Sequence, residues 1–179
     1  TEELAPADRK IYSLRDATST VESIPLITAS ILGKKLAEGT DVLVFDVKCG
    51  RGAFMKTREQ AGALAESLLG AARAAGRRAG ALVTDMDLLL GMTAGNSLEV
   101  AEAIEVLEGG GPPDVRSLSV ELASMMLSEA FPGAGGPGAF AEDCRGSLDS
   151  GAALRSFELM AEAQGGDLDA FRSRSGARA

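Results

Sequence analysis

Histidine is absent from this 179-residue sequence, and so is tryptophan. Without histidine these residues cannot form a His-based zinc site, a Ser–His or Cys–His nucleophile pair, or an imidazole acid–base catalyst. Only two cysteines occur, Cys49 and Cys144, and they form no CxxC motif. We expect both to be reduced thiols of a cytoplasmic protein, because disulfides are rare in that compartment.

Long apolar runs and clustered positive charge are also missing. No apolar stretch approaches the roughly 20 residues that span a bilayer, so we expect no membrane span. The net charge is −8, and acidic and basic residues balance over residues 1–56, so the excess of acid falls in residues 57–179. A polyanion-binding surface needs clustered bases, so nucleic acid is not an expected partner. The content of 45% apolar and 25% charged residues is typical of a globular protein.

The most regular pattern is a strand, a helix and a second strand. Residues 41–48 and 79–85 are short β-branched runs that predict strands buried on both faces. Between them, Thr57-Arg-Glu-Gln60 is a capping box that predicts a helix to about Ala75. Strands separated by a helix pair in parallel, so the sequence predicts an α/β fold with helices around a partial parallel sheet.

Helices are predicted on both sides of this unit. Pro25 begins one that ends near Glu38, whereas residues 1–9 are expected to be irregular. Asn96-Ser-Leu-Glu99 predicts a second capping box. Further helices are expected at about 96–108, 114–131, 139–147, 150–164 and 167–173. We therefore divide the chain into a helical segment, 1–38, and a partial α/β domain, 39–179.

The helix that begins at Pro25 carries polar groups within an apolar stripe. Ile27, Ser30, Ile31 and Lys34 are spaced so that they lie on one helix face. A hydroxyl and an ammonium in such a stripe cost desolvation energy unless they have partners. The pattern alone favours a serine tolerated in packing and a lysine that reaches water, and it leaves open that both face a polar ligand.

Two other motifs give weak signals. Gly50-Arg-Gly52 resembles half of a dinucleotide-binding fingerprint, but Met55 stands where the third glycine should be, so we expect no organic cofactor. Asp85 and Asp87 could hold Mg²⁺, although paired aspartates after a strand are more often part of a turn.

Several longer segments carry a family resemblance. They are 10–35, 46–56, 84–87, 94–100 and 110–114, and together they resemble the thymidine phosphorylase and pyrimidine-nucleoside phosphorylase family. The resemblance is dense from about residue 5 to 116 and thinner to about 172. It implies a cytoplasmic pentosyltransferase of pyrimidine nucleoside salvage, which uses phosphate to release the base and (deoxy)ribose 1-phosphate. It also implies a fragment of the nucleoside phosphorylase and class III phosphoribosyltransferase fold, and a homodimeric full-length parent.

The resemblance also assigns site residues. It implies that Arg15, Ser30 and Lys34 bind the pyrimidine and are the catalytic candidates, which favours the ligand interpretation of the helix stripe. Apolar pocket positions of the family match Val21, Ile27, Ile31 and Phe54. A potassium-type cation of some members would be held at Leu90, Thr93 and Glu102. Leu89 stands where the family usually has proline.

The family's phosphate loop and its C-terminal β-rich region match no part of these residues. We therefore expect the chain to supply the pyrimidine-binding wall, with phosphate as co-substrate, and to be inactive alone. The alternatives are an AMP phosphorylase, a class III phosphoribosyltransferase such as anthranilate phosphoribosyltransferase, and a non-catalytic fragment.

Overall fold

A computed structural model describes residues 6–176. Its elements in chain order are α1 (Pro6–Ala17), α2 (Ile24–Ala37), β1 (Val42–Cys49), α3 (Arg58–Ala74), β2 (Arg78–Asp85), α4 (Asn96–Leu107), α5 (Pro113–Ala130), α6 (Pro137–Asp149), α7 (Ala152–Ala163) and α8 (Leu168–Gly176). The predicted α/β class is confirmed. None of the helices in residues 6–176 is both long and apolar enough to cross a membrane.

The two strands form a parallel pair. Val42 lies opposite Arg78 at one end of the ladder, and Cys49 lies opposite Asp85 at the other. Leu43, Phe45 and Val47 of β1 are buried, and they pack with apolar residues of α2 and α3 in one core. The α3 helix connects the strands, so the predicted strand–helix–strand unit is confirmed.

The prediction that both strands are buried on both faces is wrong. Burial alternates along β1, because Asp46 and Lys48 lie on the face opposite Phe45 and Val47 and are only half-buried. In β2 only Ala79 is fully buried. One face of β1 therefore carries charged side chains, although most residues of the strand are apolar.

The two predicted capping boxes differ in outcome. At Thr57 the box is confirmed: the Thr57 hydroxyl accepts from the Gln60 amide at 3.2 Å, and Oε1 of Gln60 accepts from the Thr57 amide at 3.2 Å. At α4 the prediction is wrong by one position, because Gly95 is the N-cap and Asn96 is already helical. Glu99 reaches back to the Gly95 amide at 2.8 Å.

The α1 helix is the largest departure from the sequence prediction. Residues 1–9 were expected to be irregular, yet the helix begins at Pro6, while residues 1–5 lie outside the described part of the chain. Proline fits this position because its missing N–H has no intrahelical partner in a first turn. The helix places Asp8 in its first turn and Arg15 in its last turn.

The chain divides into two compact units. One extends to Leu88 and includes Glu129–Pro132, and it holds the sheet with α1, α2 and α3. The other holds α4, most of α5, α6, α7 and α8, with Val120, Cys144 and Leu148 at its core. Cys49 and Cys144 are both free thiols, as expected. The boundary between residues 38 and 39 stays a prediction.

Candidate substrate-binding site

A cavity of about 700 Å³ lies in the first unit, among α1, α2, β1 and the loop after β1. This volume falls in the range of small-molecule pockets. Residues named from the family resemblance border it: Arg15, Val21, Ile27, Ser30, Ile31 and Phe54. Lys34 is not among the bordering residues, and its position is described below.

Arg15 is 5% exposed and lies at the end of α1. One terminal nitrogen donates to the Leu26 carbonyl at 3.5 Å, and the other donates to the Val21 carbonyl. Its carbon Cζ lies 5.2 Å from the centroid of the Tyr12 ring, in range of a cation–π contact. The guanidinium is therefore fixed in place by two carbonyls, and its buried Nε has no hydrogen-bond partner among the described residues.

Ser30 and Lys34 lie one turn apart on α2. The Lys34 ammonium donates to Ser30 Oγ at 2.8 Å and to Asp8 Oδ2 at 2.7 Å. Ser30 borders the Arg15 cavity and also a groove between α1 and α2 that Asp8 and Lys34 line. Lys34 thus reaches the Arg15 cavity only at its rim, through the Ser30 hydroxyl.

Asp8 contacts Lys34 together with Ser30, and it is not among the site residues predicted from the sequence. Its hydrogen bonds with Lys34, and then with Ser30, hold the pKa of its carboxyl below the ordinary value of 3.8. A signal was present in the sequence, because Asp8, Tyr12 and Arg15 are spaced to share one face of a helix. That signal has meaning only once α1 is known to be helical.

The strand side of the cavity carries a second polar cluster. Lys48 pairs with Asp46 Oδ2 at 2.7 Å and donates to the Thr84 hydroxyl at 3.0 Å, and the Thr84 hydroxyl donates to Asp46. Both Asp46 and Lys48 border the cavity. They are not among the predicted site residues, because the apolar run of β1 predicts a strand buried on both faces.

The glycine loop after β1 packs closely against residues 86–87. A Cβ on Gly50 would lie 2.8 Å from the Asp87 amide nitrogen, and one on Gly52 would lie 2.8 Å from the Met86 carbonyl oxygen. Asp87 accepts from the Arg51 amide at 2.7 Å, which lowers the pKa of the Asp87 carboxyl. These glycines therefore serve close backbone packing, and they carry Phe54 to the cavity edge, where it is 54% exposed.

Asp85 and Asp87 form a turn, the interpretation that the sequence favoured. Oδ1 of Asp85 accepts from the Asp87 amide at 2.9 Å. No group of three or more His, Cys, Asp or Glu side chains that could hold a metal ion occurs within residues 6–176. The two aspartates therefore carry no magnesium site of that kind.

The positions named for a potassium-type cation lie in the second unit, around buried Glu102. Oε2 of Glu102 accepts from the Met92 amide at 2.8 Å. Gly91 has a φ of 76°, and a Cβ there would lie 2.0 Å from Glu102 Oε1. The Thr93 hydroxyl is buried without a hydrogen-bond partner in the described chain. One carboxylate, an unpaired hydroxyl and nearby backbone are the oxygen donors that hard cations use, so these residues fit such an ion.

Comparison with known proteins identifies the family of this chain. Residues 1–154 match the profile of the glycosyl transferase family, a/b domain. The chain belongs to this family. It is 51% identical over 166 residues to a thymidine phosphorylase of Mycobacterium tuberculosis, and this match covers 93% of the chain and 37% of that protein. It is 46% identical over 168 residues to a pyrimidine-nucleoside phosphorylase of Staphylococcus aureus, with 92% of the chain and 38% of that protein covered.

The resemblance predicted from the motifs is therefore confirmed: the chain belongs to the glycosyl transferase family, and the relatives it is similar to are named thymidine phosphorylase and pyrimidine-nucleoside phosphorylase. The chain spans less than two-fifths of the length of these curated relatives.

Proposed function

We propose that this chain is the pyrimidine-binding wall of a pentosyltransferase that uses phosphate to split pyrimidine (deoxy)nucleosides into the free base and (deoxy)ribose 1-phosphate. The observation that carries the proposal is the cavity in which buried Arg15 and the Ser30 hydroxyl meet an apolar lining. The names of the relatives, thymidine phosphorylase and pyrimidine-nucleoside phosphorylase, agree with it.

The chemistry matches these residue types. Negative charge builds up on the pyrimidine as the glycosidic bond breaks, and fixed cations bind that charge more tightly in the transition state than in the substrate. Arg15 has an unpaired buried Nε that a carbonyl oxygen of the base would satisfy. Ser30 and Lys34 would bind a second edge of the base. Val21, Ile27, Ile31 and Phe54 would enclose the ring.

A potassium-type cation is part of the proposal. Its ligands would be Glu102, Thr93 and the main chain at Leu90, because the buried Thr93 hydroxyl lacks a partner and the Glu102 carboxylate binds the amide of the preceding residue, Met92. Such an ion would neutralise Glu102 and fix the loop around Gly91. Thermal unfolding of the chain in potassium chloride against tetramethylammonium chloride tests it, and a higher midpoint with potassium that disappears in Glu102→Gln is expected.

The homodimeric state of the full-length parent and a cytoplasmic location also stay proposals. The two free thiols, Cys49 and Cys144, agree with the proposed location.

The catalytic proposal has a direct test in two proteins. The first is the 179-residue chain itself. The second, called the chimeric phosphorylase below, is the Mycobacterium tuberculosis relative with its matching 166-residue stretch replaced by this chain. We expect the chimeric phosphorylase to release base from thymidine or uridine with phosphate, and the isolated chain to bind uracil or thymine without turnover.

Two results would overturn this proposal. Rapid base release by the isolated chain would refute its role as one wall of the site. Preferential binding of AMP or anthranilate over uracil and thymine would point instead to an AMP phosphorylase or a class III phosphoribosyltransferase, and binding of none of the four would favour a non-catalytic role.

A further inference from the structure

Two side chains, one from α1 and one from α2, converge on the ammonium group of Lys34. The Lys34 Nζ lies 2.7 Å from Asp8 Oδ2 of α1 and 2.8 Å from Ser30 Oγ of α2. The carboxylate and the hydroxyl also interact with each other, since the Ser30 hydrogen bond is among the causes that lower the pKa of Asp8. Asp8, Ser30 and Lys34 therefore form a closed cluster, and Ser30 alone of the three also borders the Arg15 cavity.

Lysine needs such a partner if it is to act at a fixed point. Its ammonium is carried on a flexible four-carbon stem, and holding that stem in one rotamer costs conformational entropy. Ser30 offers only a neutral acceptor, whereas Asp8 offers a charge-assisted hydrogen bond from a second helix. The position of the Lys34 ammonium is therefore determined chiefly by Asp8.

Fold stability does not account for this arrangement. The side chains of Lys34 and Asp8 are 41% and 27% exposed, and ion pairs as exposed as this contribute little to stability. A neighbouring pair, Lys35 of α2 with the C-cap residue Glu38 at 3.0 Å, is more exposed and joins residues only three positions apart. It serves as a matched control for the Asp8–Lys34 pair.

We propose that Asp8 is a positioning residue for pyrimidine binding, whose carboxylate holds the Lys34 ammonium against the Ser30 hydroxyl at the rim of the Arg15 cavity. The proposal rests on the proposed roles of Ser30 and Lys34 as ligands of the base. It gives α1 two functions, because Asp8 and Arg15 share one face of that helix. One rigid element would thus orient both of the cationic groups that are proposed to bind the base.

The first test needs no ligand. The 179-residue chain is treated with an amine-acetylating reagent, and the rates at Lys34 and Lys35 are followed by mass spectrometry. We expect Asp8→Asn to accelerate acetylation of Lys34 about fivefold, a typical size for the coupling of contacting side chains, and to leave Lys35 unchanged. Glu38→Gln should accelerate Lys35 only. An unchanged Lys34 rate in Asp8→Asn, with helix content retained by circular dichroism, would overturn the proposal.

The second test measures binding of uracil by NMR titration of the same chain. We expect Asp8→Asn to weaken binding about tenfold, and to have no further effect in a Lys34→Ala background, because contacting residues that act together are not additive. Equal loss in both backgrounds would show a purely structural role for Asp8 and overturn the proposal.

The two tests separate the two proposals. Failure of the unsubstituted chain to bind uracil would count against the proposed function, while the acetylation rates would still decide whether Asp8 positions Lys34. Uracil binding that Asp8→Asn leaves intact would support the proposed function and reject the positioning role.

Discussion

At the scale of single residues, the cationic groups of the site differ in how the protein holds them. Arg15 is buried and bound to two backbone carbonyls, whereas Lys34 is half-buried and bound to side chains only. Arg15 therefore combines a structural role with its proposed binding role, whereas the role proposed for Lys34 is in binding alone. Substitutions at the two positions should have different effects.

Lys34→Ala should remove activity and keep the fold. In the chimeric phosphorylase we expect kcat/KM to fall by about 100-fold or more, the usual effect of deleting one donor that stabilises developing charge. The free energy of unfolding should change little, because the Lys34–Asp8 pair is partly exposed. Steady-state kinetics and urea unfolding measure the two quantities, with Lys35→Ala as the control. Activity within a few-fold of the parent would show that Lys34 does not bind the reacting base.

Arg15→Lys should lower both activity and stability. A single ammonium cannot reach the Val21 and Leu26 carbonyls together, because it lacks the forked donors of the guanidinium. A carbonyl left without its partner costs about 1–3 kcal/mol, so urea unfolding of the chain should show a loss of that size. Arg58→Lys, at an exposed position of α3, is the control. An unchanged unfolding free energy would mean that Arg15 does not fasten the turn.

Some of these site residues could be predicted from the sequence, and others could not. The Ile27, Ser30, Ile31 and Lys34 stripe is visible in helical spacing, and α2 has the helical form that the spacing requires. Arg15 came only from the family resemblance, since α1 was not predicted. Asp8 was missed because α1 was not predicted and its partner Lys34 lies 26 residues away, and Lys48 was missed because the strand was expected to be buried on both faces.

At the scale of elements, two loops depend on a carboxylate that accepts from a backbone amide. Asp87 accepts from Arg51 at 2.7 Å, and Asp114 accepts from Gly91 at 2.9 Å. These hydrogen bonds hold the pKa of both carboxyls below the ordinary value of 3.8. Each contact is therefore fully present above the unfolded-state pKa and is lost as the pH falls through the lower folded-state pKa.

Acid should release these two loops independently. In an NMR titration from pH 6 downwards, the Arg51 and Gly91 amide shifts should stay constant until the pH falls below about 3.8, the ordinary aspartate value, and then move. Asp87→Asn should abolish the Arg51 transition and leave that of Gly91, and Asp114→Asn should do the reverse. A transition of either amide above that pH would contradict the hydrogen-bond assignment.

The Gly91 loop should also be sensitive to a single methyl group. Gly91→Ala would combine a left-handed backbone with a contact of 2.0 Å to the Glu102 carboxylate, which is itself bound to the Met92 amide. Gly109→Ala has a comparable φ of 92° with open space around the added carbon, so it isolates the backbone cost. That cost is about 1–2 kcal/mol for an alanine in this region.

We therefore expect Gly91→Ala to destabilise the chain more than Gly109→Ala does. Urea unfolding of both variants measures the difference, which reports the steric contact with Glu102. Equal losses would show that the carboxylate moves aside without cost.

At the scale of the whole molecule, the order of strands and helices was more predictable than the residues at which they begin or the burial of their faces. The strand–helix–strand unit follows from apolar runs and one capping box, and both are local signals. The α4 helix begins one residue earlier than predicted. Gly95 is its N-cap with a φ of 127°, a backbone conformation that glycine adopts without a steric cost. The polar face of β1 was not predicted, because the run was interpreted as apolar throughout, although Asp46 and Lys48 are spaced to share one strand face.

The chain covers 37% of the Mycobacterium tuberculosis relative, so its proposed activity is a property of the longer protein. The contrast between base binding by the isolated chain and turnover by the chimeric phosphorylase is the decisive comparison at this scale. The residues of the cavity belong to one compact unit, so the binding experiment measures the contacts that this unit makes by itself.

The attachment of Arg15 to Val21 and Leu26 also limits how the chain can vary in length. Arg15 lies six positions before Val21, and its side chain binds one carbonyl in the turn between α1 and α2 and one in the first turn of α2. An inserted or deleted residue in that stretch would rotate α1 relative to its anchor and withdraw the guanidinium from the cavity. We therefore expect insertions and deletions between α1 and α2 to abolish folding or binding, and those in the glycine-rich stretch 133–138 to be tolerated. Selection of folded variants from a library with insertions in both segments would measure the difference.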